Sequence, residues 1–222
     1  MLGLDLHVEG RRTPRILFVG SHADDIEIGC GATAAALLRR YPRAKICWLV
    51  LSASPLRRRE ARRAVRLLLG SAIEVDLRLA EFKESHFPSQ VAAIKACVEN
   101  VKTDFDPQIV FSHYSQDLHQ DHRVVSEVTW NTFRNHLILE YEIPKYDGGL
   151  GSPSVFVPIT RTALTKKTGV LMKAFGSQLQ KQWFTPETFV AMARIRGIEC
   201  NSPTGYAEAF YARKLQFQLS GP

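Results

Sequence analysis

Four short apolar runs constrain this chain most, because each is followed by a segment with helical spacing. "RILFVG" (15–20) and "KICWLVLS" (45–52) read as buried strands. "IEVDLRL" (73–79) alternates with period two and reads as a strand nearer a sheet edge, and "QIVFSH" (108–113) follows an Asp-Pro turn. The segment 30–41 is rich in Ala and Leu and ends before Pro42. The next helix, through 57–66, sets Ala61, Ala64, Val65 and Leu68 on one face and stops at Gly70. Residues 89–103 are amphipathic, and 121–137 read as one long helix. Strand and helix alternating at this spacing mean βαβ units, a mainly parallel sheet and helices on both of its faces. Past about residue 140 the pattern weakens. A Pro- and Gly-rich loop with one short strand covers 143–158, helices are predicted at about 160–183 and 186–197, and 205–215 closes as a strand or extended segment.

In a sheet of this kind ligands bind beyond the carboxyl ends of the strands. Two polar segments leave those ends. "GSHADDIEIGCGAT" (20–33) follows the first strand, and "SHYSQDLHQDH" (112–122) follows the fourth. The first holds His22, Asp24 and Asp25; the second crowds His119, Asp121 and His122 with His113 and Asp117. Taken singly, the aspartates read as helix caps and the histidines as surface residues. Together on one sheet edge they offer imidazole and carboxylate, the ligands of catalytic zinc sites. Choosing His22, Asp25 and His122 gives a three-residue ligand set and leaves Asp24 and His119 for acid and base work. Gly29-Cys30-Gly31-Ala32-Thr33-Ala34 also fits a dinucleotide fingerprint, G-x-G-x-x-A. However, eight residues separate it from the strand, and the second strand ends without an acidic residue for a ribose. Close packing of the first helix on the sheet explains these glycines better.

Composition narrows the rest. With 222 residues, 45% apolar and 23% charged, the chain is long enough for one substantial core. No apolar stretch reaches the roughly 18–20 residues of a membrane span. The opening "MLGLDLHVEGRRTPR" is too charged for a secretory signal, so a cytoplasmic location is expected. Cysteines 30, 47, 97 and 200 form no C-x-x-C pair and read as reduced thiols. Much of the net charge of +7 comes from "RRREARRAVR" (57–66). That run reads as a solvated helix face or a means of steering an anionic substrate. No aromatic residues interleave its arginines, which argues against nucleic acid as a partner.

The two polar segments resemble the motifs of the PIG-L/LmbE-like family of zinc-dependent N-acetylglucosaminyl deacetylases. Ser21 to Thr33 is similar to the family's (A/P)HPDDxExGCGGT, with Ala23 in place of proline and Ala32 in place of glycine. Asp117 to Arg123 is similar to its DxHxDHR. The family's R-x-x-E before a helix ending in Leu-Gly is matched by Arg57 to Glu60 and Leu69-Gly70, with Arg58 an alternative for the arginine. "YAEAF" (206–210) is like the family's closing segment.

The resemblance implies a Rossmann-like three-layer α/β fold with a small C-terminal α+β extension. It implies a single domain over 1–222, with a catalytic core of about 14–139 and a substrate-shaping part of about 140–222. It implies one Zn2+, or Fe2+, held by His22, Asp25 and His122. Asp24 would be the base that takes a proton from water and returns it to the departing amine. A protonated His119 would face the oxyanion, Asp121 would orient His119, and Arg57 would bind substrate. The implied reaction removes an acetyl group from an N-acetylglucosamine-type sugar or glycoconjugate, releasing acetate and an amine. Arg57, Arg58 or Lys145 could meet an anionic aglycone; "EYEIPKYDGG" (140–149) reads first as a structural loop, with tyrosines to stack on a sugar and carboxylates for its hydroxyls as the alternative. An amidase acting on a thiol conjugate of the same sugar, a non-catalytic binding protein of the same fold and a magnesium phosphatase are the alternatives. No integral membrane segment is expected, and a homo-oligomer is left open.

Overall fold

The computed structural model describes residues 3–4, 13–70 and 73–216. The reading of the first residues as no signal segment lies largely outside them. Seven strands form one sheet in the order β3-β2-β1-β4-β5-β7-β6. β1 (Arg15–His22), β2 (Lys45–Ser52), β3 (Val75–Leu79), β4 (Ile109–His113) and β5 (Leu137–Tyr141) run parallel. β7 (Ala207–Tyr211) pairs antiparallel with both β5 and β6 (Val155–Pro158). The C-terminal strands therefore widen the same sheet, and the boundary expected near 139/140 falls inside β5.

Alternation along each strand sends side chains to two cores. Ile16, Phe18, Trp48 and Phe111 face one helical layer, made by α1 (Asp25–Arg40), α2 (Pro55–Leu69) and α5 (Arg161–Ala174). Leu17, Val19, Leu49 and Val110 face the other, made by α3 (Val91–Phe105) and α4 (Gln120–Thr132). The final helix, α6 (Pro186–Glu199), packs on α5 and β7. Apolar strands covered on both sides are what a central parallel sheet requires. β3, whose sequence alternates, lies at the edge.

Two elements differ from expectation. The helix expected over 121–137 ends at Thr132, and 137–141 is strand β5. A short apolar run such as "LILEY" carries no period that separates buried strand from helix, and the intervening "FRNH" has no glycine or proline to mark the break. Helix α1 starts at Asp25, not at residue 30, and breaks internally at Cys30 (φ −145°, ψ 20°). Side chains satisfy the break. Lys167 Nζ donates to the Ile28 carbonyl at 2.6 Å, and Glu208 accepts from the backbone N–H groups of Ala32 (3.0 Å) and Thr33 (2.6 Å). Lys167 and Glu208 also pair with each other at 2.6 Å. The glycines around the break serve packing: a Cβ on Gly29 would lie 2.1 Å from the Tyr141 ring. All four cysteines are free thiols.

Candidate active site

The site forms at the carboxyl ends of β1 and β4, which end in His22 and His113. The first turn of α1 adds Asp24 and Asp25, and the start of α4 adds His119, Asp121 and His122. His22 Nδ1, an Asp25 oxygen and His122 Nε2 lie within 4.8 Å of one another. His22 Nδ1 is 3.4 Å from His122 Nε2 and 3.5 Å from Asp25 Oδ2, and Asp25 Oδ1 is 3.6 Å from His122 Nε2.

The other nitrogen of each ring is already engaged. His22 Nε2 sits 3.1 Å from Asp121 Oδ2, and His122 Nδ1 sits 2.9 Å from Asp117 Oδ2. A carboxylate on the far side of an imidazole fixes its tautomer and leaves a lone pair on the near side. Two such lone pairs and one carboxylate converging on a point is a donor set that fits a divalent metal. A second cluster, His113, Asp117 and His122, fits less well, because Lys145 Nζ also holds Asp117, at 2.7 Å.

Electrostatics separates the two adjacent aspartates. Burial opposes the charge of both. For Asp25 the imidazoles of His122, His113 and His22 overcome it and hold the carboxyl well below the usual range. For Asp24 burial wins and the pKa is raised, offset in part by the Arg57 guanidinium 2.7 Å away and worsened by the charge of Asp25. Burial also works against charge on His22, but the carboxylates of Asp25 and Asp121 push its pKa up to about 10, so a metal on Nδ1 would have to displace a proton there. His122, buried and stacked on His113 at 3.9 Å between ring centres, is pushed down to about 3. Glu27, one turn from Asp24, is fully buried with no hydrogen-bond partner among the described residues. Burial drives its carboxyl well above the usual value.

Three residues do something other than expected. His119 caps α4, and its Nδ1 accepts the Asp121 N–H at 3.2 Å. An Nδ1 that accepts leaves Nε2 to carry the ring proton, and burial lowers the pKa, which disfavours the doubly protonated ring. The Asp121 carboxylate does not orient His119. It is spent on His22 Nε2 and on the backbone N–H groups of Ser85 (2.7 Å) and Phe87 (3.1 Å). Arg57 is no free anion receptor: it bridges Asp24 and Glu60 (2.8 Å) and lies over the Phe175 ring. Arg58 turns away to the carbonyls of Ala53 and Leu79.

"EYEIPKYDGG" serves mainly structure, with one tyrosine open. Tyr141 is buried and donates to the Val19 carbonyl, and Glu140 and Glu142 hold internal donors. Only Tyr146 is open, at 69% exposure, with its hydroxyl accepting the Gln182 N–H. The Asp117–Lys145 pair and the Glu60–Ser177 contacts (2.8 and 2.7 Å) were not legible as site elements. The D-x-H spacing at 117–119 was the one available signal for Asp117.

Residues 17–133 match the PIG-L family model, described as GlcNAc-PI de-N-acetylase. The chain belongs to the PIG-L family. It is 28% identical over 165 residues to the uncharacterized deacetylase YaiS of Escherichia coli K12, covering 71% of this chain and 89% of that one. Its fold is similar to that of the conserved protein TT1542 from Thermus thermophilus, with a TM-score of 0.69, 21% identity, and 93% and 99% of the two chains covered. It is likewise similar to that of N,N'-diacetylchitobiose deacetylase from Pyrococcus horikoshii, with a TM-score of 0.68, 17% identity, and 89% and 83% covered. As a PIG-L-family member the protein is a deacetylase, a hydrolase of N-acetylglucosamine-type amides. No helix among the described residues is long and apolar enough to cross a membrane.

Proposed function

We propose that this PIG-L-family deacetylase holds one Zn2+ with His22, Asp25 and His122, and that Asp24 is its acid–base group. Fe2+ suits the same nitrogen and oxygen donors. A metal bound there would supply Lewis acidity and a lowered pKa for water. The chain's own residues do the remainder. Asp24, kept near a carboxylate by Arg57, takes a proton from the attacking water and returns it to the departing amine. His119 presents its Nε2–H to the developing oxyanion while its Nδ1 stays tied to the Asp121 N–H. Asp121 and Asp117 keep the two ligand imidazoles turned with their free nitrogens inward. Glu60 ties Arg57 to Ser177, so the segment after α5 is fastened to the base side of the site.

The observation that carries this reading is the convergence of two oriented imidazole nitrogens and Asp25 beside a separately held Asp24. Within the domain, residues of about 14–139 supply the chemistry. The part from about 140 shapes the substrate side, with Tyr146 open at the loop after β5. Acetate release from N-acetylglucosamine compounds, measured before chelation, after it and after zinc is restored, tests the proposal. Activity that is lost and regained supports it; turnover unaffected by metal removal refutes it.

A further inference from the structure

The two helical layers are charged very differently. On one side of the sheet, α3 and α4 mix Lys95, Lys102 and Arg123 with Glu99, Asp104 and Glu127. On the other, α1, α2 and α5 expose no carboxylate at all: Asp25, Glu27 and Glu60 are all buried. The outward face of α2 carries Arg59, Arg62, Arg63 and Arg66. None of them has an ion-pair partner among the described residues, and α5 beside it adds exposed Lys166 and Lys173. Leu56 and Leu67, at 47% and 40% exposure, lie on the flank of the same face. An ordinary solvated helix intersperses both signs; this one does not.

We propose that the α2–α5 face docks on an anionic lipid surface. Four arginines along one helix match a plane of negative headgroups, and two leucines level with them suit the boundary between headgroups and acyl chains. A nucleic acid is the weaker match, because no aromatic side chain stands among these arginines to stack on bases. Helix α2 begins at the site, where Arg57 meets Asp24, so the docking face and the site share one helix. Docking here needs only the charge distribution and is independent of the catalytic roles given above.

Co-sedimentation of the full chain with phosphatidylcholine vesicles, with and without phosphatidylserine, tests it. The expected result is binding only to the anionic vesicles, weakening as salt rises. Replacing all four exposed arginines (Arg59→Ala, Arg62→Ala, Arg63→Ala, Arg66→Ala) is expected to reduce partitioning about tenfold or more. Unchanged far-ultraviolet circular dichroism and Tm would show that the fold persists. Leu56→Ala with Leu67→Ala is expected to cost less. Equal binding to neutral vesicles, undiminished binding by the folded four-arginine variant, or capture of duplex RNA without capture of vesicles overturns the proposal.

Discussion

Asp24 and Asp25 are neighbours in sequence and equally hidden from water, yet the protein pushes them in opposite directions. Asp25 accepts the His22 N–H at 2.7 Å and is ringed by three imidazoles, so its charge is favoured despite burial. Asp24 is buried too, but it has a single contacting guanidinium, Arg57, and a like charge next door, so its proton is held more tightly. Burial is common to both; the neighbours decide the outcome. Two carboxyl groups whose environments drive their proton affinities apart suit different tasks, one as ligand and one as acid–base group.

The strongest way to break this contrast is to remove a ligand. Asp25→Ala or His122→Ala is expected to abolish stoichiometric metal binding, read by metal analysis of the purified protein, and acetate release with it. His119→Ala is expected to keep the metal and to lower kcat by about 10²–10³-fold, the usual loss for a single oxyanion donor. Asp117→Asn sharpens the Asp25 side. With the His122 ring no longer held by a carboxylate, metal affinity is expected to fall about 10–100-fold in a competition titration.

Arg57→Gln probes the other side and is the mildest change. Arg57 lowers the pKa of Asp24, so its loss raises that pKa further. The base must be a carboxylate to work, so the acidic limb of the kcat–pH profile is expected to move to higher pH, and activity at pH 6 to fall more than at pH 8. An unshifted limb would detach Arg57 from Asp24.

Much of the fold was legible because it follows from period and composition. β1 and β2 are apolar runs, β3 alternates as an edge strand does, and Gly70 ends α2 with a positive φ of 95°. β5 was not legible, since a short, largely apolar run so soon after a helix carries no mark of the change. The kink in α1 was hidden because the groups that satisfy it, Lys167 and Glu208, are more than a hundred residues away in the chain.

The site divides in the same way. His22, Asp24, Asp25, His119 and His122 stood out as ionisable residues at the ends of two strands. What the second carboxylates do depends on contacts across the fold. Asp121 reaches His22 over 99 positions, and Lys145 reaches Asp117 over 28. No local pattern encodes either contact: Asp121 meets its near neighbour His119 through its backbone N–H, while its carboxylate goes to His22.

The contrast between the two aspartates is tested most directly by Asp24→Asn, with metal content and acetate release measured on the same preparation. The separation of roles predicts one metal per chain and a kcat lowered by about 10²–10⁴-fold. Turnover near that of the unaltered protein, or loss of the metal together with activity, would contradict it.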